Sequence, residues 1–326
     1  MAFNTYGAEQ SEKRESNVDY DALNKYVVET VQAEQPETMV GVISMIIDLG
    51  TQKLPDAEYE VDDEDKGLTV DELNEKHKEA IESGKITKYG MAYDNGKQVI
   101  KKFVPQKDRQ AIVYAVDFPD VIVDKGEFFG QSNPQPLRLF SGGQFWNGEK
   151  MIVQNMIALK VTKDDNIEGG NVWTMKPNTT LYKMALGAKI IETGKAFNPS
   201  RIDELLGKSL QFEIQVFKNS KSYYTEKLKY VGGLGRGQQP LSLDKTYMIE
   251  FNGDNDVEGL KQLRANVVNT IKNATNYQGS KIQQQLESLN SGNNTSNDNK
   301  QDTSPKYDDS DIPFGDAKAE DVGDEW

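Results

Sequence analysis

The strongest alternation of apolar and polar residues lies near residue 210. Through residues 209–218 every second side chain is apolar, which is the pattern of a β-strand with one buried face. Asn219 and Ser220 separate this run from a second alternating run at 221–231. We therefore predict a β-hairpin here. The apolar positions of the first run are Leu210, Phe212, Ile214 and Val216.

Further strands are predicted where β-branched and apolar residues cluster between turn-forming residues. The longest of these runs, "TMVGVISMIIDLG" (38–50), is typical of a core strand and ends at Gly50. The other predicted strands are 97–104, 110–123, 136–140, 151–162 and 245–251.

Helical spacing of apolar residues predicts helices between and after these strands. One helix spans about 20–33. Another lies within an acidic, polar stretch, where Thr69 or Asp71 caps its start and Gly84 ends it. The remaining predicted helices are 180–191, 200–207 and an outer pair within 256–290.

Together these elements predict a mainly β fold with helical insertions, arranged as a five-stranded Greek-key barrel. Residues 1–37 form an N-terminal arm and helix, and 38–253 form the barrel domain, which carries an acidic insertion at 54–96. Residues 254–290 are a helical segment. The remainder, 291–326, begins with an Asn/Ser-rich linker that cannot bury enough apolar surface to order itself, so we predict a disordered linker and tail.

Composition excludes several classes of protein. The chain has no cysteine and one histidine, His77, so disulfides, zinc-thiolate sites and histidine-based nucleophile systems are ruled out. It has no run of about 18 apolar residues and no secretory start, so we expect no membrane span and a cytoplasmic location, which is the host cytoplasm for a phage protein.

Three near matches to ligand-binding motifs fail on one residue each. The Gly-Lys-Ser of 207–209 has Ile202 in place of the first glycine of a phosphate loop, and the loop at 143–150 has Glu149 in place of the lysine. A calcium-loop start at 254 has Ala265 in place of the bidentate glutamate. We therefore expect no cofactor, no metal and no enzymatic activity.

Charge is distributed unevenly. The net charge is -14, but residues 302–326 carry -7 and residues 56–66 carry -6. The rest of the chain is nearly neutral, so it can present a basic face to nucleic-acid phosphates.

Lysine and arginine recur beside aromatic residues, a composition suited to gripping single strands by phosphate contacts and base stacking. In the second strand of the hairpin, alternation places Tyr223, Lys227 and Lys229 on one face. The full set of candidate ssDNA-binding residues is Lys101, Lys102, Phe103, Arg109, Arg138, Phe140, Phe145, Trp146, Lys150, Trp173, Lys176, Tyr182, Lys183, Tyr223, Lys227, Lys229 and Arg236.

Three segments resemble bacteriophage single-stranded DNA-binding proteins. "GVISMIIDLGTQ" (41–52) is similar to the opening strand of their OB-fold barrel, and 179–231 is similar to their later helix, Leu-Leu-Gly-Lys turn and hairpin. "DDSDIPF" (308–314) resembles the acidic tip of bacterial single-stranded DNA-binding proteins, and the final "GDEW" resembles the ends of phage replication proteins.

This resemblance implies an OB-fold protein that coats unwound single-stranded DNA during replication, recombination and repair, with copies assembling cooperatively or as a homo-oligomer. The acidic tail would contact a polymerase, helicase or other replication protein and compete with DNA for the basic groove. Whether Phe314 or Trp326 is the anchor stays open. The predicted tail contacts are Asp308, Asp309, Asp311, Ile312, Pro313, Phe314, Asp324, Glu325 and Trp326.

Two alternatives and one ambiguity stay open at this stage. The acidic segments could recruit basic partners in a scaffold that binds no nucleic acid. The dense acids of 62–65 could instead serve a metal-dependent nuclease through Asp62 or Asp63. Base stacking accepts RNA as well as DNA, so the sequence does not decide the preferred strand.

Overall fold

The strands of this computed structural model account for most of its regular structure. The structure describes residues 18–94, 96–164, 172–219 and 224–291, except the side chains of Trp146, Asn290 and Ser291. The strands are β1 (Glu37–Gln52), β2 (Ala57–Glu60), β3 (Lys88–Asp94), β4 (Lys97–Val104), β5 (Arg109–Val123), β6 (Gln135–Phe140), β7 (Gln144–Trp146), β8 (Met151–Val153), β9 (Ile157–Ala158), β10 (Val161–Asp164), β11 (Val172–Met175), β12 (Ser209–Lys218), β13 (Tyr224–Gly232) and β14 (Tyr247–Ile249).

Helices precede, interrupt and follow these strands. Short 3-10 helices lie at Asp63–Asp65, Lys125–Phe129 and Pro199–Leu205. The α-helices are α1 (Tyr20–Val31), α2 (Val70–Lys76), α3 (Lys78–Glu82), α4 (Thr180–Gly187), α5 (Val257–Lys261), α6 (Ala265–Lys272) and α7 (Lys281–Ser291).

The main sheet has its two longest strands at its centre. Its strand order is β13-β12-β1-β5-β6, all antiparallel, with β14 added parallel to β1 and β9 added to β5. At the two ends of this path, Cα atoms of β6 and β13 approach within 8 Å of each other. The mainly β, antiparallel character predicted from the alternating runs is confirmed.

Each face of the main sheet has its own apolar core. On the inner face, Ile46 of β1, Tyr114 of β5 and Phe212 of β12 pack against helices α1 and α4. Strand alternation sends their neighbours to the outer face. There Met45 and Val113 are fully buried beneath residues of β14 and α5–α7.

Residues 57–104 form a separate small unit, which we call the small sheet. It contains β2, β4 and β3 in that order, with α2 and α3 between β2 and β3 in the chain. Thr69, one of the two predicted caps, begins α2 through a capping box with Glu72. The single predicted helix is divided at His77 into α2 and α3. The acidic insertion is therefore a folded unit with its own sheet.

The structure corrects several predicted boundaries. The run 151–162 is divided into β8, β9 and β10, because its middle pairs with β5 while its ends pair with other short strands. The predicted outer helix pair is three helices, α5 to α7. Strands β2, β3, β7 and β11 were not predicted, because their polar residues interrupt the apolar pattern.

Within the described part of the chain, no helix is long and apolar enough to cross a membrane.

Candidate nucleic-acid interface

The first predicted basic cluster lies in the small sheet, where carboxylates neutralise it. Lys101 Nζ lies 3.1 Å from Asp94, and Lys102 Nζ lies 2.7 Å from Asp62. The hydrogen bond to Asp62 raises the pKa of Lys102. Phe103 is half-buried, and its ring is covered by the Lys88 ammonium at 5.5 Å. This cluster has little charge to offer a phosphate.

Arg109 begins β5 and is half-buried opposite Gln52 of β1. Its Nε atom is buried, and no hydrogen-bond partner for it lies among the described residues. Arg109 is thus the first residue of the main sheet after the small sheet, since β4 ends five residues earlier in the chain.

Arg138 and Phe140 on β6 belong to a polar network rather than to an open groove. Arg138 binds Asp117 through two hydrogen bonds of 2.6 and 2.8 Å and also contacts Gln262. Phe140 is only 9% exposed, and the Arg264 guanidinium lies 4.7 Å from its ring centre. Phe140 is therefore corrected from a base-stacking candidate to a core residue.

Arg264 connects the two ends of the main sheet. It donates to Glu226 of β13 at 2.7 Å and to the Arg138 carbonyl of β6 at 3.1 Å. Burial raises the pKa of Glu226, but the charges of Arg264 and Lys125 more than offset it, so this pKa lies below its ordinary value. The ion pair is thus charged and structural.

Strands β7 and β8 form a hairpin beside α6. Phe145 is 37% exposed and Lys150 is half-buried. Asn269 and Thr270 of α6 bond to the backbone of β8 at 2.9 and 2.8 Å. Phe145 therefore remains accessible to a ligand; the side chain of Trp146 lies outside the described residues.

The second group of basic residues, which we call the Trp173 surface, lies on and beside the β10–β11 hairpin, which carries an exposed indole, and on the following helix α4. Trp173 is 53% exposed on β11, and the Lys163 ammonium of β10 lies 5.3 Å from its ring. The Lys176 amide donates to the Lys160 carbonyl at 3.1 Å, which holds these two lysines at the base of the hairpin. The members of the surface are Lys160, Lys163, Trp173, Lys176 and Lys183.

The lysines of the Trp173 surface differ from Lys101 and Lys102 in exposure and in ion pairing. All four are exposed, and within the residues that the structure describes none of them forms an ion pair. An exposed indole among unpaired ammonium groups can stack on a base while the lysines bind neighbouring phosphates.

Helix α4 places this surface next to β13. The Tyr230 hydroxyl donates to the Lys183 carbonyl at 2.9 Å. Gly187 permits this approach, since a Cβ atom there would lie 2.3 Å from the Tyr230 hydroxyl and 2.9 Å from the Gly233 nitrogen. Helix α4 therefore packs directly against the end of β13.

Tyr182 of α4 is corrected from a stacking candidate to a core residue. Only 3% of it is exposed, and its hydroxyl donates to the Lys195 carbonyl at 2.9 Å. Burial, with a contribution from Asp164, raises the pKa of this tyrosine. Tyr182 faces the core, whereas the next residue, Lys183, faces solvent. The spacing of apolar residues predicts the helix but does not show which side of it packs against the core.

The outer face of β12 and β13 is open and polar. Lys227 and Lys229 are exposed there, as alternation predicted, opposite Gln215 and Glu213. The Lys227 ammonium lies 5.4 Å from the Phe217 ring, and Lys229 lies 3.8 Å from Glu213. Arg236 is also exposed, in the loop after β13. Tyr223 lies outside the described residues, as do the predicted tail contacts at 308–326.

Three of the four dense acids at 62–65 are engaged with cations. Asp62 binds Lys102, and Asp63 binds Lys66 at 2.6 Å. The fully buried Asp65 binds both Lys76 and His77, and these contacts lower its pKa. Among the residues described, no group of three or more possible ligands is arranged to hold a metal ion.

Sequence reasoning missed Lys160 and Lys163 and the half-buried Phe217. The signal for Lys163 is its pairing with Trp173 across a hairpin, but the apolar pattern predicts one strand over 151–162 and so does not reveal the β10–β11 hairpin. Searches against protein-family models, curated proteins and solved structures found no match for this chain.

Proposed function

We propose that this chain is a single-stranded DNA-binding protein that uses the Trp173 surface and the exposed lysines of β13 to hold DNA without reading its sequence. The observation that carries the proposal is an exposed Trp173 beside the Lys163 ammonium, in a part of the chain with three further exposed lysines. None of these four lysines has an ion pair in the described chain. Backbone electrostatics and base stacking supply the two components of such binding.

The strand order supports an OB-type barrel as the framework. In chain order, the five strands are β1, β5, β6, β12 and β13. In the sheet, the first of them (β1) lies between the second (β5) and the fourth (β12), and the third (β6) and fifth (β13) are at the two ends. Cα atoms of the two end strands approach within 8 Å of each other. In the chain, α4 lies between the third strand and the fourth. This arrangement matches a five-stranded, partly open Greek-key barrel.

The binding surface in this proposal departs from the usual OB-fold face. OB-folds bind oligonucleotides on their second and third strands. In this chain, Val113 of β5 and Phe140 of β6 are buried there beneath the α6 residues Val267 and Ile271. We therefore assign the DNA to the neighbouring open surface on β13, α4 and the β10–β11 hairpin.

The sequence also motivates a role in phage replication, recombination and repair. In this part of the proposal, the acidic tail recruits a polymerase or helicase and competes with DNA for the lysines. Its only support is the resemblance of residues 308–314 and 323–326 to tails of replication proteins.

Tryptophan fluorescence tests the binding surface directly. The chain has three tryptophans, so replacing Trp146→Phe and Trp326→Phe leaves Trp173 as the reporter. We expect oligo-dT to quench the Trp173 fluorescence of this variant, and its affinity for oligo-dT should fall steeply as the salt concentration rises. Absence of quenching at low salt, with no shift in a gel, would contradict the proposal and favour a scaffold. Degradation of the oligonucleotide with magnesium would favour a nuclease.

A further inference from the structure

We propose that two copies of this chain associate by pairing the exposed edges of their β3 strands into one antiparallel sheet. β3 pairs with β4 on one side and is the last strand on the other. Its central run, residues 90–93, has no charged residue, and Met91 and Tyr93 are 52% and 60% exposed. An uncharged, exposed edge is a template for another strand.

The β3–β4 hairpin determines which backbone groups face outward. Asp94 pairs with Lys97, so two residues form the turn. The pair flanking such a turn exchanges both backbone hydrogen bonds, and this pattern repeats at every second residue. Ala92 therefore bonds to β4, whereas Met91 and Tyr93 direct their N–H and C=O groups away from it.

Asn74 of α2 supports this assignment. The Tyr89 amide donates to Asn74 Oδ1 at 2.7 Å, and Asn74 Nδ2 donates to the Tyr89 carbonyl at 3.2 Å. Tyr89 is two residues before Met91, so its backbone N–H and C=O also point away from β4. The Asn74 side-chain amide bonds both of these groups, as a neighbouring strand would. The edge that remains for a partner begins at Met91.

Two other edge strands, β2 and β13, carry charges that oppose such pairing. β2 is four residues long and has Glu58 and Glu60 on either side of Tyr59. β13 presents Lys227 and Lys229 on its open face. The uncharged run of β3 has neither protection.

The β3 edge is complementary to itself, as an isologous dimer requires. A two-fold axis at Ala92 places Met91 opposite Tyr93 of the partner subunit and Tyr93 opposite Met91 of the partner subunit. All four outward groups of each copy are then bonded. The same register places Lys88 diagonal to Asp94 of the partner subunit, within reach of a lysine side chain, so the charges at the ends are also complementary.

A single introduced cysteine tests this register, because the chain has none of its own. Ala92 would meet its symmetry mate in a non-hydrogen-bonded pair with Cα atoms about 4.5 Å apart, within the range that a disulfide spans. We expect Ala92→Cys to form a disulfide-linked dimer under mild oxidation, visible on a non-reducing gel. The control Ser83→Cys is exposed in the same small unit but lies at the end of α3, outside the β3 edge, and should remain monomeric.

Sedimentation equilibrium of the full chain tests association without a cross-link. We expect the average mass to rise from 36.6 kDa toward twice that value from micromolar to submillimolar concentration. Met91→Pro removes an outward donor without breaking the β3–β4 ladder, and Met91→Lys keeps the donor but adds an edge charge. Both should remain monomeric with unchanged circular dichroism.

Three results would each overturn the proposal. The first is that Ala92→Cys cross-links no faster than Ser83→Cys. The second is that the unmodified chain stays at 36.6 kDa over this concentration range. The third is that both Met91 variants associate as strongly as the unmodified chain. None of these readouts uses DNA, so the result is independent of the proposed DNA binding.

Discussion

Two regions of this protein combine lysines with aromatic residues, and they differ in whether the lysines have acidic partners. In the small sheet, Lys101 and Lys102 are bonded to Asp94 and Asp62. On the Trp173 surface, Lys163 and its neighbours lie beside an exposed indole without ion pairs among the described residues. The comparison shows that lysines beside aromatic residues keep charge for a phosphate only where they form no ion pair with a carboxylate.

The largest effect is expected where a paired cation is also largely buried. Arg264→Ala leaves the charge of Glu226 without its main partner, so the free energy of unfolding should fall by about 3 to 5 kcal/mol. Chemical denaturation followed by circular dichroism measures this change. Lys261→Ala is the control, because its bond to Glu258 is exposed and should contribute less than about 0.5 kcal/mol. Equal effects of the two variants would contradict a structural role for Arg264.

The next largest effect is expected at the indole. Trp173→Ala removes a stacking surface, which should weaken oligo-dT binding by about 1 to 3 kcal/mol, or about 5-fold to 150-fold. A gel shift or anisotropy titration measures it, since this variant has lost its reporter. Trp173→Phe keeps an aromatic face and should retain most of the affinity. Unchanged binding by the alanine variant would remove Trp173 from the interface.

Neutralising lysines in each region tests the comparison itself. Lys176→Gln with Lys183→Gln should lower affinity for oligo-dT about tenfold at low salt, because two phosphate contacts are lost. The slope of log affinity against log salt should become shallower by about 1.4, at about 0.7 for each contact on a single strand. A slope equal to that of the unmodified chain would show that these lysines do not contact phosphate.

The small sheet should depend on pH through Asp65. Its contacts with Lys76 and His77 lower its pKa, so the stability that they contribute is present above the unfolded pKa of about 3.9 and is lost as pH falls through the lower folded value. The amide resonance of Tyr89 should show this loss below about pH 4. Asp65→Asn should remove this pH dependence, and Asp63→Asn, at an exposed carboxylate, should not. An identical pH profile for Asp65→Asn would contradict the assignment.

The smallest effect is expected at the paired lysines. Lys101→Gln with Lys102→Gln should leave oligo-dT binding within about twofold of the unmodified chain, because these ammonium groups already bind carboxylates. The same titration measures both glutamine pairs. A loss equal to that of the Lys176 and Lys183 pair would show that the small sheet also contacts DNA.

Local patterns were sufficient to predict most of the secondary structure. The alternation at 209–218 became β12, and the apolar run at 38–50 became the centre of β1. The capping residues around Thr69 correctly placed the start of α2. These features follow from side-chain period and local hydrogen bonding, which depend only on residues near in sequence.

The availability of each candidate side chain depended on residues far away in the chain. Phe140 and Tyr182 looked like accessible aromatics, but Arg264 covers the first and the core encloses the second. Asp62 neutralises Lys102 across 40 residues. No short-range pattern contains such partners.

The sequence alone determined the long strands of the main sheet, most helices, the uneven distribution of acid and the types of residue that could bind a single strand. Only the tertiary structure decided which lysines are neutralised, which aromatics are buried, and that the insertion is a sheet with an open edge at β3. The physical reason is that charge pairing and burial are properties of side chains brought together in space, whereas periodicity is a property of neighbours along the chain.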